Sequence, residues 1–515
     1  MNLPSTHSFE LSPMDEFNQK LINNVHPPDW KNPTPKDTYD LVVIGAGTAG
    51  LVAAKGAGGL DIGLKVALIE RNLLGGDCLN VGCVPSKAVI RSSRVAADLR
   101  RTAPFGIRSP EHVDIDFAAV MRRMRRVRAQ ISPVDSPMSA QKVGVDVFLG
   151  DGSFIDDSTI SVAGKTLRFK KAVIATGARA VSPNVPGLKE AGFLTNETVF
   201  NLTECPGRLA VIGGGPIGCE LAQAFRRLGS NVFLFERSNH VLVREDADAA
   251  EIVQQSFIRE GIQLVLNSSL KRVEKTPEGK RLYFDQNGKE ESIVVDEILV
   301  GAGRQPNLEG LNLDAAGVTY DARKGVMVDD HLQTANPRIF AAGDICMNWK
   351  FTHAADAAAR IVLKNAFFSP FGFGKYKLSD LVMPWATYTD PEIAHVGMYE
   401  QDAQEKGIDV NTIKVPFHDV DRAIADGEEE GFVKILHKRG SDEILGATIV
   451  ATHAGDMISE ITTAIVGGLG LSKLSTVIHP YPTQAEAIKK AADGYRRTLL
   501  TDRTKFFLGI LTKFS

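Results

Sequence analysis

The feature that most constrains the fold of this 515-residue chain is a strand, turn and helix pattern that occurs twice. The first copy, YDLVVIGAGTAGLVAAKGAG, reads as a buried strand, a glycine turn and a helix, with Gly45, Gly47 and Gly50 spaced as GxGxxG. Glycine at these places permits a tight turn and close approach of a pyrophosphate to backbone N–H groups. The next strand, KVALIE, ends in Glu70, a carboxylate suited to a ribose 2′-OH. The pattern therefore predicts a dinucleotide site.

The second copy of this pattern begins at RLAVIGGGPIGCELAQAFRRLG, where Gly213, Gly215 and Gly218 repeat the glycine spacing. The strand that follows, NVFLFE, ends in Glu236, so the acid at the strand end is repeated as well. Two complete units predict two dinucleotides, or one resident dinucleotide and a second that visits.

A cysteine pair lies in GGDCLNVGCVPSK, Gly75 to Lys87, where four residues separate Cys78 from Cys83. Such a pair can close a small disulfide ring. A helix-like run follows, with Pro85 suited to its first turn, so the positive end of the helix dipole favours a thiolate at Cys83. A low-pKa sulfur beside a second thiol is a redox device. The alternative, two cysteines packed as small apolar groups, is disfavoured by the motifs on either side.

Composition excludes several function classes. A formal charge of −3 provides no global positive field for nucleic acid, and no apolar run reaches the roughly eighteen residues needed to span a bilayer. Five cysteines are too few for a disulfide scaffold, and the first residues lack the layout of a signal peptide. We therefore expect a cytoplasmic protein with no nucleic-acid partner and no stable membrane insertion.

An arginine-rich segment from Phe117 to Ile131 has apolar residues at helical spacing. A basic patch for a partner is one interpretation, but a solvated helix face is favoured. The arginines in question are Arg122, Arg123, Arg125, Arg126 and Arg128.

From Tyr39 to about Leu500 the chain resembles the flavoprotein disulfide reductases, which include dihydrolipoamide dehydrogenase, glutathione reductase and mercuric reductase. The resemblance rests on eight motifs in one order: GAGTAG, CLNVGCVPSK, ATG, GGGPIGCE, GAGRQPN, AAGD, YTDPEIAHVG and HPYPTQAE. It implies FAD in the first unit, NAD(P)H in the second, and a homodimer built by the C-terminal domain.

The fold that this resemblance implies is mixed α/β, with two Rossmann-like dinucleotide-binding domains and a C-terminal α+β dimerisation domain. The FAD domain is split, because the AAGD segment completes it. The expected segments are an N-terminal arm (1–37), the FAD domain (38–186 and 303–376), the NAD(P) domain (187–302), the dimerisation domain (377–500) and a tail (501–515).

The resemblance also implies the residues that hold each cofactor. In both units the glycine turn faces the pyrophosphate and the strand-end acid faces a ribose. The residues expected to hold FAD are Gly45, Gly47, Gly50, Glu70, Thr176, Gly177 and Asp344, and those expected to hold NAD(P)H are Gly213, Gly215, Gly218, Glu236 and Arg237.

Four residues are expected to carry the redox chemistry. Lys87 and Glu220 match an ion pair that the family places near flavin N5, where a cation stabilises developing negative charge. Cys83 is expected to be the sulfur that adds to the flavin and becomes the charge-transfer thiolate. Cys78 is expected to be the more exposed sulfur, which attacks the substrate. We expect no structural metal site, only transient binding of a substrate metal ion by the two sulfurs.

The last motif departs from the pattern of disulfide-exchanging members, which carry HxHPTxxE with a catalytic His and Glu. Here Tyr481 stands in the place of that His, while Glu486 remains. A tyrosine with a pKa near 10 is a poor proton shuttle at neutral pH. Mercuric reductases also have Tyr at this place, and thiolates suit soft metals. We therefore expect electron transfer to a soft metal ion such as Hg(II) or to a thiol-reactive acceptor.

Other features leave alternatives open. The tail lacks the cysteine pair that delivers Hg(II) in mercuric reductases, and Asp77 stands where many relatives have Thr. A dihydrolipoamide-dehydrogenase-type reductase, a non-catalytic redox-sensing flavoprotein and an NAD(P)H oxidase are the alternatives. Glu236 favours NADH, whereas Arg237 and Arg244 suit the 2′-phosphate of NADPH.

Overall fold

The computed structural model describes residues 11–108, 110 and 113–513, so the first ten residues of the predicted arm lie outside the described residues. The first group of elements contains the first glycine turn and both cysteines of the redox segment. Its members are α1 (Glu16–Val25), β1 (Tyr39–Ile44), α2 (Thr48–Gly58), β2 (Val66–Glu70), α3 (Gly76–Asn80), α4 (Cys83–Arg100), α5 (Phe117–Ile131), α6 (Pro137–Gln141), β3 (Val145–Leu149), β4 (Gly152–Asp156), β5 (Thr159–Val162), β6 (Lys165–Ile174) and β7 (Ala178–Ala180).

The second group of elements contains the second glycine turn. Its members are α7 (Leu188–Ala191), β8 (Arg208–Ile212), α8 (Pro216–Arg227), β9 (Asn231–Phe235), α9 (Ala247–Glu260), β10 (Gln263–Val265), β11 (Ser268–Thr276), β12 (Gly279–Gln286), β13 (Lys289–Val295) and β14 (Glu297–Val300). Four strands pair in parallel in the order β10-β9-β8-β14, and β11, β12 and β13 form a separate antiparallel sheet.

The chain then returns to the first sheet. The returning elements are β15 (Arg304–Pro306), β16 (Tyr320–Asp321), β17 (Gly325–Val326), β18 (Ile339–Ala341) and α10 (Thr352–Phe367). Parallel strands run in the order β3-β2-β1-β6, and β18 pairs with β6, so the first sheet is completed only after the second group. Strand β1 is buried almost throughout, as expected for a parallel sheet covered on both faces.

The C-terminal group is α+β. Its members are β19 (Pro384–Thr387), β20 (Glu392–Gly397), α11 (Glu400–Glu405), β21 (Val410–Pro416), α12 (Asp421–Asp426), β22 (Phe432–Lys438), β23 (Ile444–Ala451), α13 (Ala454–Val466), α14 (Leu471–Leu474), α15 (Glu486–Thr498) and α16 (Asp502–Leu511). The strands form one antiparallel sheet in the order β19-β20-β23-β22-β21. Short 3-10 turns lie at Ala103–Phe105, Ser132–Asp135, Val199–Asn201, Pro370–Gly372, Leu378–Asp380 and Phe417–Asp419.

The mixed α/β fold class is confirmed, with two parallel nucleotide-type sheets and an α+β C-terminal unit. The domain boundaries given above stay predictions. None of the helices in the described ranges is long and apolar enough to cross a membrane.

The solvated-face interpretation of the arginine-rich helix α5 is wrong for two of its arginines. Arg125 and Arg128 are buried, because α1 of the N-terminal arm packs against this side of α5. Arg125 Nε lies 2.6 Å from a carboxylate oxygen of Asp15, which also caps the start of α1. Arg122 and Arg126 remain exposed, and Arg122 pairs with Glu16 at the edge of the contact with α1.

Candidate active site

The cysteine segment packs directly on the first glycine turn. Cys78 lies in the middle of α3, and Cys83 is the first residue of α4. A Cβ atom added to Gly76 would lie 2.7 Å from the Cα atom of Gly47, closer than real side chains allow. The helix that carries Cys78 is therefore pressed against the turn predicted to hold FAD.

The two thiols have unlike electrostatic environments. A hydrogen bond from Cys78 is the largest influence that lowers the pKa of Cys83, to about 6, and Thr352 and the Lys87 ammonium act in the same direction against burial. The Thr352 hydroxyl lies 3.3 Å from the Cys83 sulfur. The same contact with Cys83, together with burial, raises the pKa of Cys78. Cys83 is thus the thiolate of the pair, at the start of α4 and facing the start of α10.

The two sulfurs differ in exposure within the single chain. Cys83 is exposed and Cys78 is half-buried, whereas the family resemblance implied the reverse. The resemblance places the flavin against Cys83, where it would cover this sulfur, so the order of exposure in the enzyme that holds FAD stays a prediction. The division of roles between the two sulfurs stays a prediction.

The predicted ion pair between Lys87 and Glu220 is present. The Lys87 ammonium lies 2.7 Å from Glu220 Oε2, and the Glu220 side chain is only 7% exposed. The backbone N–H of Tyr388 donates to Glu220 Oε1 at 3.0 Å, and its ring centroid lies 4.4 Å from the Lys87 ammonium. The structure thus adds Tyr388, which the sequence reasoning missed although it lies within the quoted YTDPEIAHVG motif.

The acids at the two strand ends brace the two glycine turns in the same way. Glu70 accepts a hydrogen bond of 2.6 Å from the backbone N–H of Ala46, and Glu236 accepts one of 2.8 Å from that of Gly214. Glu70 also accepts a hydrogen bond of 2.8 Å from the backbone N–H of Asn72, and Glu236 accepts one of 3.0 Å from that of Ser238. Both acids are therefore fixed beside their turns, whereas Arg237 is exposed.

The glycine turns fit the pyrophosphate groups of dinucleotides. Gly45 and Gly213 have φ angles of +100° and +110°, a backbone conformation that favours glycine. Gly47 and Gly215 precede α2 and α8 and provide no side-chain cap, so the first N–H groups of both helices are not capped by a side chain. Uncapped helix starts beside tight turns are the arrangement that phosphate binding uses.

Gly50 and Gly218 allow the helix of each unit to pack closely on its glycine turn. A Cβ atom at Gly50 would lie 1.7 Å from the Gly45 carbonyl oxygen, and one at Gly218 would lie 1.9 Å from that of Gly213. Neither helix can therefore pack this closely if the third glycine carries a side chain.

The ATG segment after β6 is locked to the segment that contains β15. Thr176 donates from its hydroxyl to the carbonyl oxygen of Asn307 at 2.9 Å, and the Asn307 amide donates to the Thr176 carbonyl oxygen at 2.9 Å. The backbone N–H of Asn307 donates to Gly177 at 3.0 Å. Thr176 and Gly177 therefore lie at the carboxyl end of the first sheet, the edge where ligands of such sheets bind.

A half-buried arginine joins the cysteine helix to the AAGD segment. The Arg304 guanidinium pairs with Asp77, the residue before Cys78, and its Nε lies 3.3 Å from Asp344 Oδ2. These acids favour the charged form and raise the pKa of Arg304 against the opposing effect of burial. Asp77 therefore faces a cation. The sequence reasoning identified Asp77 as unusual but missed Arg304, although the quoted GAGRQPN motif contains it.

Tyr481 and Glu486 lie together in the C-terminal unit. Tyr481 is 71% exposed, and its hydroxyl donates to Asp421 Oδ2 at 3.1 Å. Glu486 begins α15, and its Oε2 is buried without a hydrogen-bond partner in the described part of the chain. No contact between these two residues and the cysteine pair is recorded within the described ranges of a single chain.

Family models match most of the chain. The model described as pyridine nucleotide-disulphide oxidoreductase matches residues 39–359, and its dimerisation domain matches residues 383–492. The chain is 37% identical over 454 residues to the mercuric reductase of Staphylococcus aureus, covering 88% of this chain and 82% of that protein. It is 36% identical over 465 residues to the dihydrolipoyl dehydrogenase of Chlamydia muridarum, covering 88% and 96%.

Solved structures show the same architecture. The HOCl-induced flavoprotein disulfide reductase RclA from Escherichia coli is similar with a TM-score of 0.78 and 27% identity, over 88% of this chain and 99% of that one. LpdA from Mycobacterium tuberculosis has a TM-score of 0.79 and 28% identity, over 90% and 100%. The chain therefore belongs to the pyridine nucleotide-disulphide oxidoreductase family, whose members are FAD-dependent enzymes that use NAD(P)H.

Proposed function

We propose that this enzyme passes electrons from NAD(P)H through FAD and the Cys78–Cys83 pair to a soft metal ion such as Hg(II), or to another thiol-reactive acceptor. The observation that carries the choice of acceptor is Tyr481 in the place of the catalytic histidine. Its hydrogen bond to Asp421 raises the pKa of Tyr481 above the ordinary value near 10. The phenol therefore keeps its proton at neutral pH, which makes it a poor shuttle for disulfide exchange.

The residues of the site fit FAD between the first glycine turn, Thr176, Gly177 and Asp344. When bound, FAD supplies the transfer of an electron pair between NAD(P)H and sulfur. Lys87, fixed by Glu220, places a positive charge that lowers the pKa of Cys83. The hydrogen bond from Cys78, with this charge and Thr352, keeps the Cys83 sulfur ionised at neutral pH, which is the form that reacts and binds metal.

The reduced pair suits a soft metal ion because both ligands are sulfur. In the transfer step the Cys78 thiol and the Cys83 thiolate become a disulfide and release one proton, while Hg(II) gains the electron pair and leaves as elemental mercury. An electron pair from NAD(P)H then restores the reduced cysteines. No proton has to be delivered to a leaving thiol in this sequence, so a histidine is not required at position 481.

Relatives support this proposal. Three mercuric reductases are 36–37% identical to this chain over 88–89% of its length. A Cu(II) complex of RclA from Escherichia coli has been solved, with a TM-score of 0.77 to this chain. The proposed enzyme is a homodimer, in which Tyr481 and Glu486 of one subunit reach the cysteine pair of the other.

A dihydrolipoamide-dehydrogenase-type disulfide reductase is the second candidate. The matched length favours it, because the match to this chain covers 95–98% of the length of several dihydrolipoyl dehydrogenases but only 71–82% of the length of the mercuric reductases. Glu486 also keeps the acid of the motif that these enzymes use. It is disfavoured by Tyr481, for the reason given above.

An acceptor comparison separates these candidates. NADH and NADPH oxidation is measured with Hg(II) in excess thiol, lipoamide, glutathione disulfide and oxygen, using wild type, Cys78→Ala and the control Cys205→Ala. Cys205 is hydrogen-bonded to Ser230 in the second unit, outside the redox segment. Turnover with Hg(II) that Cys78→Ala abolishes and Cys205→Ala retains supports the proposal. Turnover with lipoamide alone supports the second candidate, and no turnover with any acceptor supports a redox sensor.

A further inference from the structure

The N-terminal arm is attached to the residues that lead into the cysteine helix. The backbone N–H of Leu74 donates to the carbonyl oxygen of Val25 at 3.2 Å, and Nδ1 of His26 lies 2.5 Å from the carbonyl oxygen of Asn72. Helix α1 of the arm packs on α5. The arm therefore contacts both the residues that precede α3 and the helix α5.

A buried arginine extends this hold to the residues between the two cysteines. Arg128 of α5 is 0% exposed, and its Nη2 donates to Asn18 Oδ1 of α1 at 2.6 Å. Its Nη1 donates to the backbone carbonyl oxygen of Asn80 at 2.5 Å. Burial lowers the pKa of Arg128 to about 10, so the guanidinium stays charged at neutral pH. A buried charge of this kind needs both acceptors, because an unpaired one is costly.

Asn80 is the residue on which these contacts converge. It lies between Cys78 and Cys83 and is 1% exposed. Its amide donates to the carbonyl oxygens of Leu74 at 3.1 Å and Gly76 at 2.9 Å, while its own carbonyl accepts from Arg128. The Asn80 amide therefore fixes the turn that leads into Cys78, and Arg128 fixes the segment between the two sulfurs at the Asn80 carbonyl.

The arm precedes the matched family model, which begins at residue 39. Its contacts with the redox segment are therefore additional to the matched family architecture. Fixing the segment between two thiols raises their effective concentration toward each other, which favours the disulfide.

We propose that the arm, residues 11–37, stabilises the redox site, and that Arg128 is the positioning residue through which the arm holds Cys78 beside Cys83. The inference rests on the proposed role of this cysteine pair. Loosening the hold makes the disulfide easier to reduce and weakens the contact between the two sulfurs.

The test is the redox potential of the pair in the holoenzyme. Wild type and variants are equilibrated in mixtures of reduced and oxidised dithiothreitol, which exchange the electron pair and two protons with the cysteines. The mixtures are then quenched by alkylation, and the Cys78–Cys83 disulfide is quantified by mass spectrometry. Arg128→Met should lower the equilibrium constant for disulfide formation about tenfold, a potential about 30 mV more positive. Arg126→Met, the same substitution at an exposed site of α5, should leave the potential unchanged.

A second pair of variants covers the case in which Arg128→Met does not fold. Asn18→Ala removes the acceptor on the arm and should shift the potential in the same direction, whereas Asn18→Asp keeps an acceptor and should restore it. Unfolding is measured in parallel. Lower stability with an unchanged potential in Asn18→Ala would overturn the inference. Absence of a Cys78–Cys83 disulfide in wild type would overturn the proposed function as well, so the two failures are distinguishable.

Discussion

The ammonium of Lys87 lies 2.7 Å from a carboxylate oxygen of Glu220, and this ion pair joins two helices of the site. Lys87 belongs to α4, which begins at Cys83, and Glu220 belongs to α8, which follows the second glycine turn. The pair therefore connects the redox segment to the nucleotide unit proposed to bind NAD(P)H.

Glu220→Gln should slow reduction of the bound flavin by NADH about tenfold or more. Glu220 accepts from Lys87 on one oxygen and from the Tyr388 backbone N–H on the other, so an amide places a donor against one of them. Lys87 then loses its fixed position and its counter-charge. The rate is measured by anaerobic stopped-flow absorbance. Glu190→Gln, an exposed acid, is the control, and an unchanged rate in Glu220→Gln would count against a role for the pair.

Alkylation of Cys83 in the reduced enzyme should be half-maximal near pH 6. The pKa of Cys83 is lowered to about 6, so the reactive thiolate increases with pH, from about one-tenth at pH 5 to about nine-tenths at pH 7. Cys78→Ala removes the largest cause and should move the midpoint up toward that of an ordinary thiol, whereas Cys78→Ser keeps a donor and should move it less. A wild-type midpoint above pH 8, read from the alkylated peptide, would contradict the assignment.

The enzyme should prefer NADH to NADPH. Glu236 is held at the second glycine turn by two backbone N–H groups, so its negative charge stays where a 2′-phosphate would approach. Glu236→Ala should raise the KM for NADH and lower the KM for NADPH, each about tenfold. Glu190→Ala is the matched control. A lower KM for NADPH than for NADH in wild type would show that Arg237 and Arg244 decide the choice instead.

Tyr481→His should raise disulfide reductase activity with lipoamide about tenfold. An imidazole at this place can exchange protons near neutral pH, and Asp421 and Glu486 lie near it to stabilise the charged form. Tyr481→Phe keeps the ring without a proton donor and should give no gain. Equal lipoamide activity of the histidine variant and wild type would contradict the inference that Tyr481 disfavours disulfide exchange because it is a poor proton shuttle.

The local parts of the fold were predictable from sequence because they depend on neighbouring residues. The glycine turns and their strand-end acids follow from spacing alone. The helix after the cysteines extends over Cys83–Arg100, which confirms the predicted start at Cys83, with Pro85 tolerated in the first turn. The pairing of Lys87 with Glu220 joins residues 133 positions apart, and only the family resemblance predicted it.

Contacts between distant segments explain what the sequence could not predict. Arg125 and Arg128 read as part of a solvated face, but the arm covers them through Asp15 and Asn18, each 110 positions away. The sequence offered no role for Asp77, because its partner, Arg304, lies 227 positions further along the chain. In each case a charged residue is paired with a distant segment whose position no local sequence pattern indicates.

The most direct test of the account is an anaerobic titration of the purified enzyme with NADH, followed by flavin absorbance and thiol counting. The account predicts about two NADH consumed per chain in wild type, one electron pair for the flavin and one for the disulfide, and about one in Cys78→Ala/Cys83→Ala. Consumption of one NADH per chain by both proteins, with no thiols released in wild type, would contradict electron transfer through the cysteine pair.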